Sequence, residues 1–363
     1  MMAIPFNFCL FLQSSLISKA YPQEATRRVS LARPFPCGLV QFCAGPLFFP
    51  CCMCEGINSQ PTRSPRTVRR EHCRQEQANG ATHLIQVDYL APPPELSAFV
   101  SAYYLFRTDA AVFHDIERAD IAQFRVILEG EGDVIFGDGR RQSYYPANIM
   151  GPRTKASKVE ARGPIRVFGV GLLPAGWAAF TRLPADKHVN TVIDASTLLG
   201  PVVLEKAALL KDLNSIDEMA AAMSDWSRSF TEAAEKVPYW FIRAVDQWLE
   251  SRLSPELEDL EAATNLSRRQ IERLARQVYG SPPKLLVRKY RALRTANAIA
   301  HGKGDWQDFI DEGYYDQSHC IREMKEFIGI TPGAIRDRVS PLTNQTFDRS
   351  QLFGRIANLS AQT

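Results

Sequence analysis

The stretch that decides the fold is Gly313-Tyr314-Tyr315-Asp316-Gln317-Ser318-His319, continued by Ile321-Arg322-Glu323 and then Phe327-Ile328-Gly329-Ile330-Thr331-Pro332. Glu312 to Tyr315 reads as a turn, and Asp316 as a helix cap whose short acceptor side chain can take an unpaired backbone N–H. Cys320, Ile321, Met324 and Phe327 recur at helical spacing and so face a core. Gln317, Ser318 and Arg322 are left for the outside. Gly329 closes the helix, and Thr331-Pro332 opens a short final one. A short helix from Trp306 to Asp311 precedes the turn, so the unit is helix, tight turn, capped helix.

The same order occurs once more upstream. Glu256 to Ala262 forms a short helix, Ala263 to Leu266 a turn, and Ser267 with Gln270 a Ser-x-x-Gln capping box at the start of a second helix. Ile271, Leu274, Ala275 and Val278 recur at i, i+3, i+4 and i+7 and turn inward. Arg268, Arg269, Arg273 and Gln277 then face out, and Gly280 ends the helix. A longer helix from Pro282 to Ala300 joins the two units, with Lys284, Arg288 and Arg291 along one face. The 28 residues from Ser267 to Arg294 carry nine Lys or Arg and one acid, Glu272, in a chain of net charge +3. A charge run alone reads as a solvated face. On a capped helix that follows a tight turn it reads as a surface for DNA.

Two such units joined by one helix resemble the DNA-binding domain of the AraC/XylS family of bacterial transcription regulators. The second unit carries the resemblance in the residues quoted above. The first carries it in Leu266-Ser267-Arg268-Arg269-Gln270-Ile271-Glu272-Arg273-Leu274 and Gly280-Ser281-Pro282-Pro283-Lys284. The resemblance implies that the two second helices enter adjacent major grooves on one side of the duplex. Arg268, Arg269, Gln270 and Arg273 are then the base-edge candidates of one half, entered at Ser267. Gln317, Ser318, His319 and Arg322 are those of the other, entered at Tyr315. Arg suits guanine O6/N7 and Gln suits adenine N6/N7 through paired hydrogen bonds. Lys284, Arg288 and Arg291 fall to the phosphates.

Blander readings stand beside these. Arg273 and Arg322 also suit ion pairs on their own helices, His319 a packed histidine, and Cys320 a small buried hydrophobe. Ala275, Cys320 and Met324 stand where the family usually has a large aromatic, which removes buried area unless a neighbour such as Phe309 fills it. Asp308, Asp311 and Glu312 give the second unit less basic help than the first.

Upstream, Phe124-Arg125-Val126-Ile127-Leu128 alternates, with Arg125 and Glu129 opposite an apolar face, and Asp133-Val134-Ile135-Phe136 begins a second run. Between them Glu129-Gly130-Glu131-Gly132 reads as a hairpin loop. Gly137-Asp138-Gly139, Gly151-Pro152 and Gly163-Pro164 supply further turns, and Ile165 to Leu173 another strand. Residues 84–200 are therefore expected to form a small antiparallel barrel or sandwich, similar to the variable sensor domains of the family. His83 and His114 make no metal cluster, and Gly169-Val170-Gly171 lacks the third glycine of a dinucleotide fingerprint. Helical periodicity at Leu204 to Leu213, Ile216 to Lys236 and Tyr239 to Arg252 gives linker helices over 201–252, a suitable place for dimer contact.

The expected whole is an α+β multidomain chain with a β-rich sensor domain, helical linker, all-α DNA-binding domain over 253–340 and a disordered tail over 341–363. Of the 363 residues 45% are hydrophobic and 23% charged, which excludes a fully disordered or polytopic membrane chain. Seven of the eight cysteines fall in the first 73 residues, so the remainder reads as reduced and cytoplasmic and not as a disulfide scaffold. Residues 1–80 read as a disordered or spurious extension with no regular element. The function expected is that of a sequence-specific transcription regulator and not an enzyme, without cofactor or metal. Its partners would be double-stranded DNA, RNA polymerase, a small-molecule effector and a second copy of itself. Two alternatives are weighed: a DNA-repair methyl acceptor with a zinc-held cysteine head, and a metal-dependent cupin-like enzyme.

Overall fold

The computed structural model describes residues 73–76, 82–231, 237–303, 307 and 313–362, all within one compact unit, residues 63–363. The cysteine-rich head lies outside the described residues except for Cys73, in a strand where no element was expected. Of the expected helix at 306–311 only Gln307 is described, so Phe309 and the three nearby acids also fall outside.

Among the described residues nine antiparallel strands form one sheet: β1 (Cys73–Glu76), β2 (Thr82–Leu90), β3 (Val100–Thr108), β4 (Val112–Glu117), β5 (Ala122–Ile135), β6 (Arg141–Ser143), β7 (Ala147–Met150), β8 (Ser157–Leu172) and β9 (Val192–Asp194). The expected hairpin loop at 129–132 is not a loop. It is an irregular stretch inside β5, which runs for 14 residues against β8 with register shifts between Ile127 and Glu131. The cause is local. Gly130 adopts φ +82°, and a Cβ there would sit 2.8 Å from the Pro164 carbonyl and 2.9 Å from that of Arg162. Two glycine-containing segments therefore cross closely at one point and kink both long strands. Beyond the kink the sheet branches. One half of β8 pairs with β3 from Ile165 to Leu172 and the other with β4 from Ser157 to Arg162.

Both faces of this sheet are covered. Phe124, Val126, Leu128, Phe168 and Val170 turn toward helices α1 (Pro174–Thr181), α3 (Val202–Lys211) and α4 (Ile216–Thr231) in a common core. Arg125 is not on a solvent face as its alternation suggests. It is 6% exposed and faces a cavity that the bent sheet encloses. At Gly169 the missing side chain makes room for the Tyr104 ring.

A short α2 (Ala195–Leu199) precedes α3, and α5 (Tyr239–Ser251) leads into the C-terminal helices. These are α6 (Leu257–Thr264), α7 (Arg268–Tyr279), α8 (Pro283–Ala300), α9 (Gln317–Phe327) and α10 (Pro332–Arg336). The expected disordered tail is instead folded, with α11 (Pro341–Thr346), a 3-10 turn (Phe347–Leu352) and α12 (Asn358–Ala361). Its order has a source: Leu342, Phe347, Leu352, Ile356 and Leu359 are all buried. No described helix is long and apolar enough to cross a membrane.

Candidate nucleic-acid interface

Helices α7 and α9 are built alike. Each is capped at an exposed N-terminus and anchored at its C-terminal end on the β-domain. At α7 the Ser267 backbone N–H and hydroxyl both donate to Gln270 Oε1, at 2.9 and 2.8 Å. At α9 the Asp316 carboxylate accepts the His319 N–H at 2.6 Å. Gly280 ends α7 at φ +75° against Ala185 and Val189, and the Phe327 carbonyl accepts the Ala119 N–H at 2.6 Å. The inner faces match the spacing of the sequence, since Ile271, Ala275, Val278, Cys320, Met324 and Phe327 are all buried. Burial pushes the Cys320 thiol up to about 11, so it packs as a neutral, small apolar group.

The outer faces divide into committed and available side chains. Arg269, Arg273, Gln317, Ser318 and Arg322 are exposed, and none of the three arginines holds an ion pair among the described residues. Tyr315 projects with 92% of its surface exposed. Lys284 is exposed at the start of α8. Arg276, not singled out from sequence, belongs with them. It is exposed and stands at i+7 from Arg269 and i+3 from Arg273, a spacing that already placed it on that face.

Other candidates are already engaged by groups of the protein itself. Arg291 is 5% exposed and forks onto Glu323, with Nε 3.0 Å from Oε2 and Nη2 2.8 Å from both oxygens. Its guanidinium lies 4.7 Å over the Tyr314 ring. Arg288 reaches Glu323 at 2.8 Å and Glu326 at 2.6 Å. The phosphate role expected of these two arginines therefore gives way to tying α8 to α9. The reason is Glu323, 1% exposed, whose buried charge demands cationic partners. His319 completes the group. Its Nδ1 accepts from the Tyr315 N–H at 3.3 Å, and its Nε2 lies 3.1 Å from Glu323 Oε1. It is the packed histidine of the two readings. Gln270 spends its carbonyl on the cap. Arg268 donates to Glu258 at 2.6 Å and Glu261 at 3.3 Å across the turn from α6, an exposed contact of small worth.

Compared with known families, residues 260–338 match a helix-turn-helix domain. The C-terminal region is an AraC-type helix-turn-helix domain. Its described helices α6, α7, α8 and α9 lie close to where the sequence placed them, and a chain carrying this domain is a DNA-binding transcription regulator. Residues 88–194 match a domain family of unknown function. No curated relative matches the chain in sequence. Among solved structures, ToxT from Vibrio cholerae O395 superposes with a TM-score of 0.37 at 9% identity, covering 63% of this chain and 97% of that one. The wild-type ToxT of Vibrio cholerae strain SCE256, with bound unsaturated fatty acid, gives 0.36 at 9% identity over 72% and 95%. The AraC-like transcriptional activator CuxR gives 0.28 at 12% identity over 60% and 81%. At these scores the likeness is loose. Among the described residues, no group of three His, Cys, Asp or Glu is placed to hold a metal ion.

Proposed function

We propose that the chain is a sequence-specific, cytoplasmic and non-enzymatic regulator that reads DNA with α7 and α9 together. One observation carries this. Two capped helices present exposed N-terminal ends, and each bears available Arg or Gln on the outward face. The first turn of a recognition helix is the part that meets base edges. Arg269 and Arg273 are the guanine readers of one half. Gln317, Ser318 and Arg322 read the other, with Tyr315 beside them. Lys284 and Arg276 hold phosphates. Arg268 keeps a secondary role, since an exposed ion pair of under about 1 kcal/mol yields readily to a phosphate.

The reading includes a small-molecule effector bound by the β-domain and contact with RNA polymerase. It also includes self-association through α3, where Val202, Leu204 and Leu209 lie exposed. The test is selection of bound sites from random duplex DNA at about 0.15 M salt. It compares the full chain with an Arg269→Ala, Gln317→Ala variant. A motif spanning two successive major grooves, blurred in the variant, is expected. Salt-sensitive binding without a motif would reduce α7 and α9 to a phosphate-holding face. Sedimentation of the same preparation checks the α3 contact, which a monomer at working concentration would remove.

A further inference from the structure

The two recognition helices are fastened at their starts in different ways. At α7 the tie is local and exposed: the Ser267 backbone N–H and hydroxyl both meet Gln270 Oε1. At α9 the tie runs inward. Asp316 caps the helix by accepting the His319 N–H at 2.6 Å. The His319 ring then turns back on the residue before the cap, with Nδ1 accepting from the Tyr315 N–H at 3.3 Å. Its Nε2 lies 3.1 Å from Glu323 Oε1, the oxygen that also receives Arg288 and Arg291 from α8. Tyr314 completes the seat. Its ring meets the His319 ring edge-on at 5.7 Å, and its hydroxyl donates to Thr295 of α8 at 3.2 Å. At Gly313 the chain passes so close to α8 that a Cβ would sit 2.9 Å from Arg291 Cδ. One imidazole therefore bridges a turn, a helix start and a buried carboxylate.

These contacts specify where the ring proton sits. A backbone amide can only donate, so Nδ1 must offer a lone pair. Glu323 Oε1 accepts from two guanidiniums, so Nε2 must carry the hydrogen. A neutral imidazole has one N–H, and both neighbours require it on the same nitrogen. The residues bracketed by this arrangement are the outward ones. Gln317 and Ser318 are the first two positions of α9, between Asp316 and His319, and Tyr315 stands just before the cap with 92% of its surface exposed. A reading side chain must be held to within about 0.5 Å by the groups behind it, so a shift in the helix start displaces all three together.

We propose that His319, in its Nε2–H form, is the positioning residue of the second reading helix. It sets Tyr315, Gln317 and Ser318 against the DNA without touching a base, and discrimination in the second half of the site rests on its Nδ1 lone pair. The inference rests on the regulator reading and goes beyond it by assigning an asymmetry. The first half is read from a self-contained cap and needs no such link.

The test takes the full chain and the duplex recovered by site selection, and measures binding to that duplex and to versions altered in one half only. His319→Asn keeps an acceptor oxygen at the position of Nδ1. His319→Gln carries its amide out to the position of Nε2 and leaves no acceptor at that of Nδ1. The asparagine variant is expected to keep discrimination in the second half within about threefold of the wild type, and the glutamine variant to lose about tenfold there. Both leave the first half unchanged, which also shows that the domain is folded. A glutamine variant that reads the second half like the wild type overturns the inference. So does an asparagine variant that loses as much as glutamine, or an equal loss in both halves. Nitrogen-15 NMR of the imidazoles in the unmodified protein, with His319→Asn assigning the signal, is an independent check. A proton on Nε2 is expected, and a proton on Nδ1 refutes the proposal whether or not DNA is read. If the unmodified protein selects no motif, the regulator reading itself fails and the proposal with it, whichever nitrogen holds the proton.

Discussion

Lys289 shows how the chemistry of one residue is set by its surroundings. It lies on α8 between basic neighbours in sequence, yet it is 4% exposed, and its ammonium sits 5.0 Å from the centre of the Tyr290 ring. Burial pulls it down to about 8. Asp120 opposes that shift, and Arg118, Arg153 and Arg349 reinforce it. In the unfolded chain a lysine titrates near 10.4. Below pH 8 both states are charged, and the full cost of burying the charge is present. As pH rises from 8 toward the unfolded value, the native state sheds its proton first and that cost fades. Lys289→Met is therefore expected to stabilise the protein at pH 7 by on the order of 3 kcal/mol, with the gain shrinking above pH 8. Urea unfolding at pH 7 and pH 9.5 checks this, and an equal gain at both would refute the charge-burial account. The outward placement of the proposed readers nearby is legible from sequence alone. Arg269, Arg273 and Gln317 lie outward because Ile271, Ala275 and Cys320 must lie inward, and a helix has only one such choice of phase.

At the scale of elements, the unit that matters is α8 joined to α9 through Glu323. One buried carboxylate receives Arg288, Arg291 and His319, so two helices are held at one spacing. Glu323→Ala leaves Arg291 buried without its counter-charge. A loss of about 3–5 kcal/mol follows from breaking a buried pair on one side. Asp316→Ala removes only a cap and is expected to cost about 1 kcal/mol. Chemical denaturation of both variants checks the contrast, and similar small losses would mean that Glu323 is not the tie. The same contrast marks a limit of sequence reading. The Asp316 cap follows from a local pattern three residues long. The Glu323 hub does not, because its arginine partners are 32 and 35 positions away, and on a helix drawn alone they look like free cations for phosphate. The β5 kink failed to be read for a like reason. Gly130 in isolation suggests a loop, and only the crossing of Gly163-Pro164 opposite it makes it a bend in a continuous strand.

For the whole molecule, the tail closes the circuit between the two ends of the described chain. Ser340 and Leu342 hold Asp115, Thr343 holds the Ile116 carbonyl at 2.6 Å, and Arg349 holds Asp120. Ending the chain after Val339 removes these partners and exposes the apolar cluster of Ile85, Phe106 and Phe113 that Leu342 covers. A loss of several kcal/mol is expected, seen as a fall in melting temperature on the order of 10 °C. An unchanged melting curve would show that the tail is not part of the folded unit. Sequence by itself determined the helices α6, α7 and α9, the caps of α7 and α9, their inward faces and the basic outward face of α7. Those features repeat over three to seven residues and are dictated by helix geometry. It also determined that an antiparallel β-domain precedes them. Only the tertiary structure decided which cations are available, that Arg125 faces a cavity, and that the tail is ordered. Each of these depends on groups brought together from tens to hundreds of positions apart. The energy of a charge or an apolar side chain is set by what surrounds it in space, which neighbours in sequence do not specify.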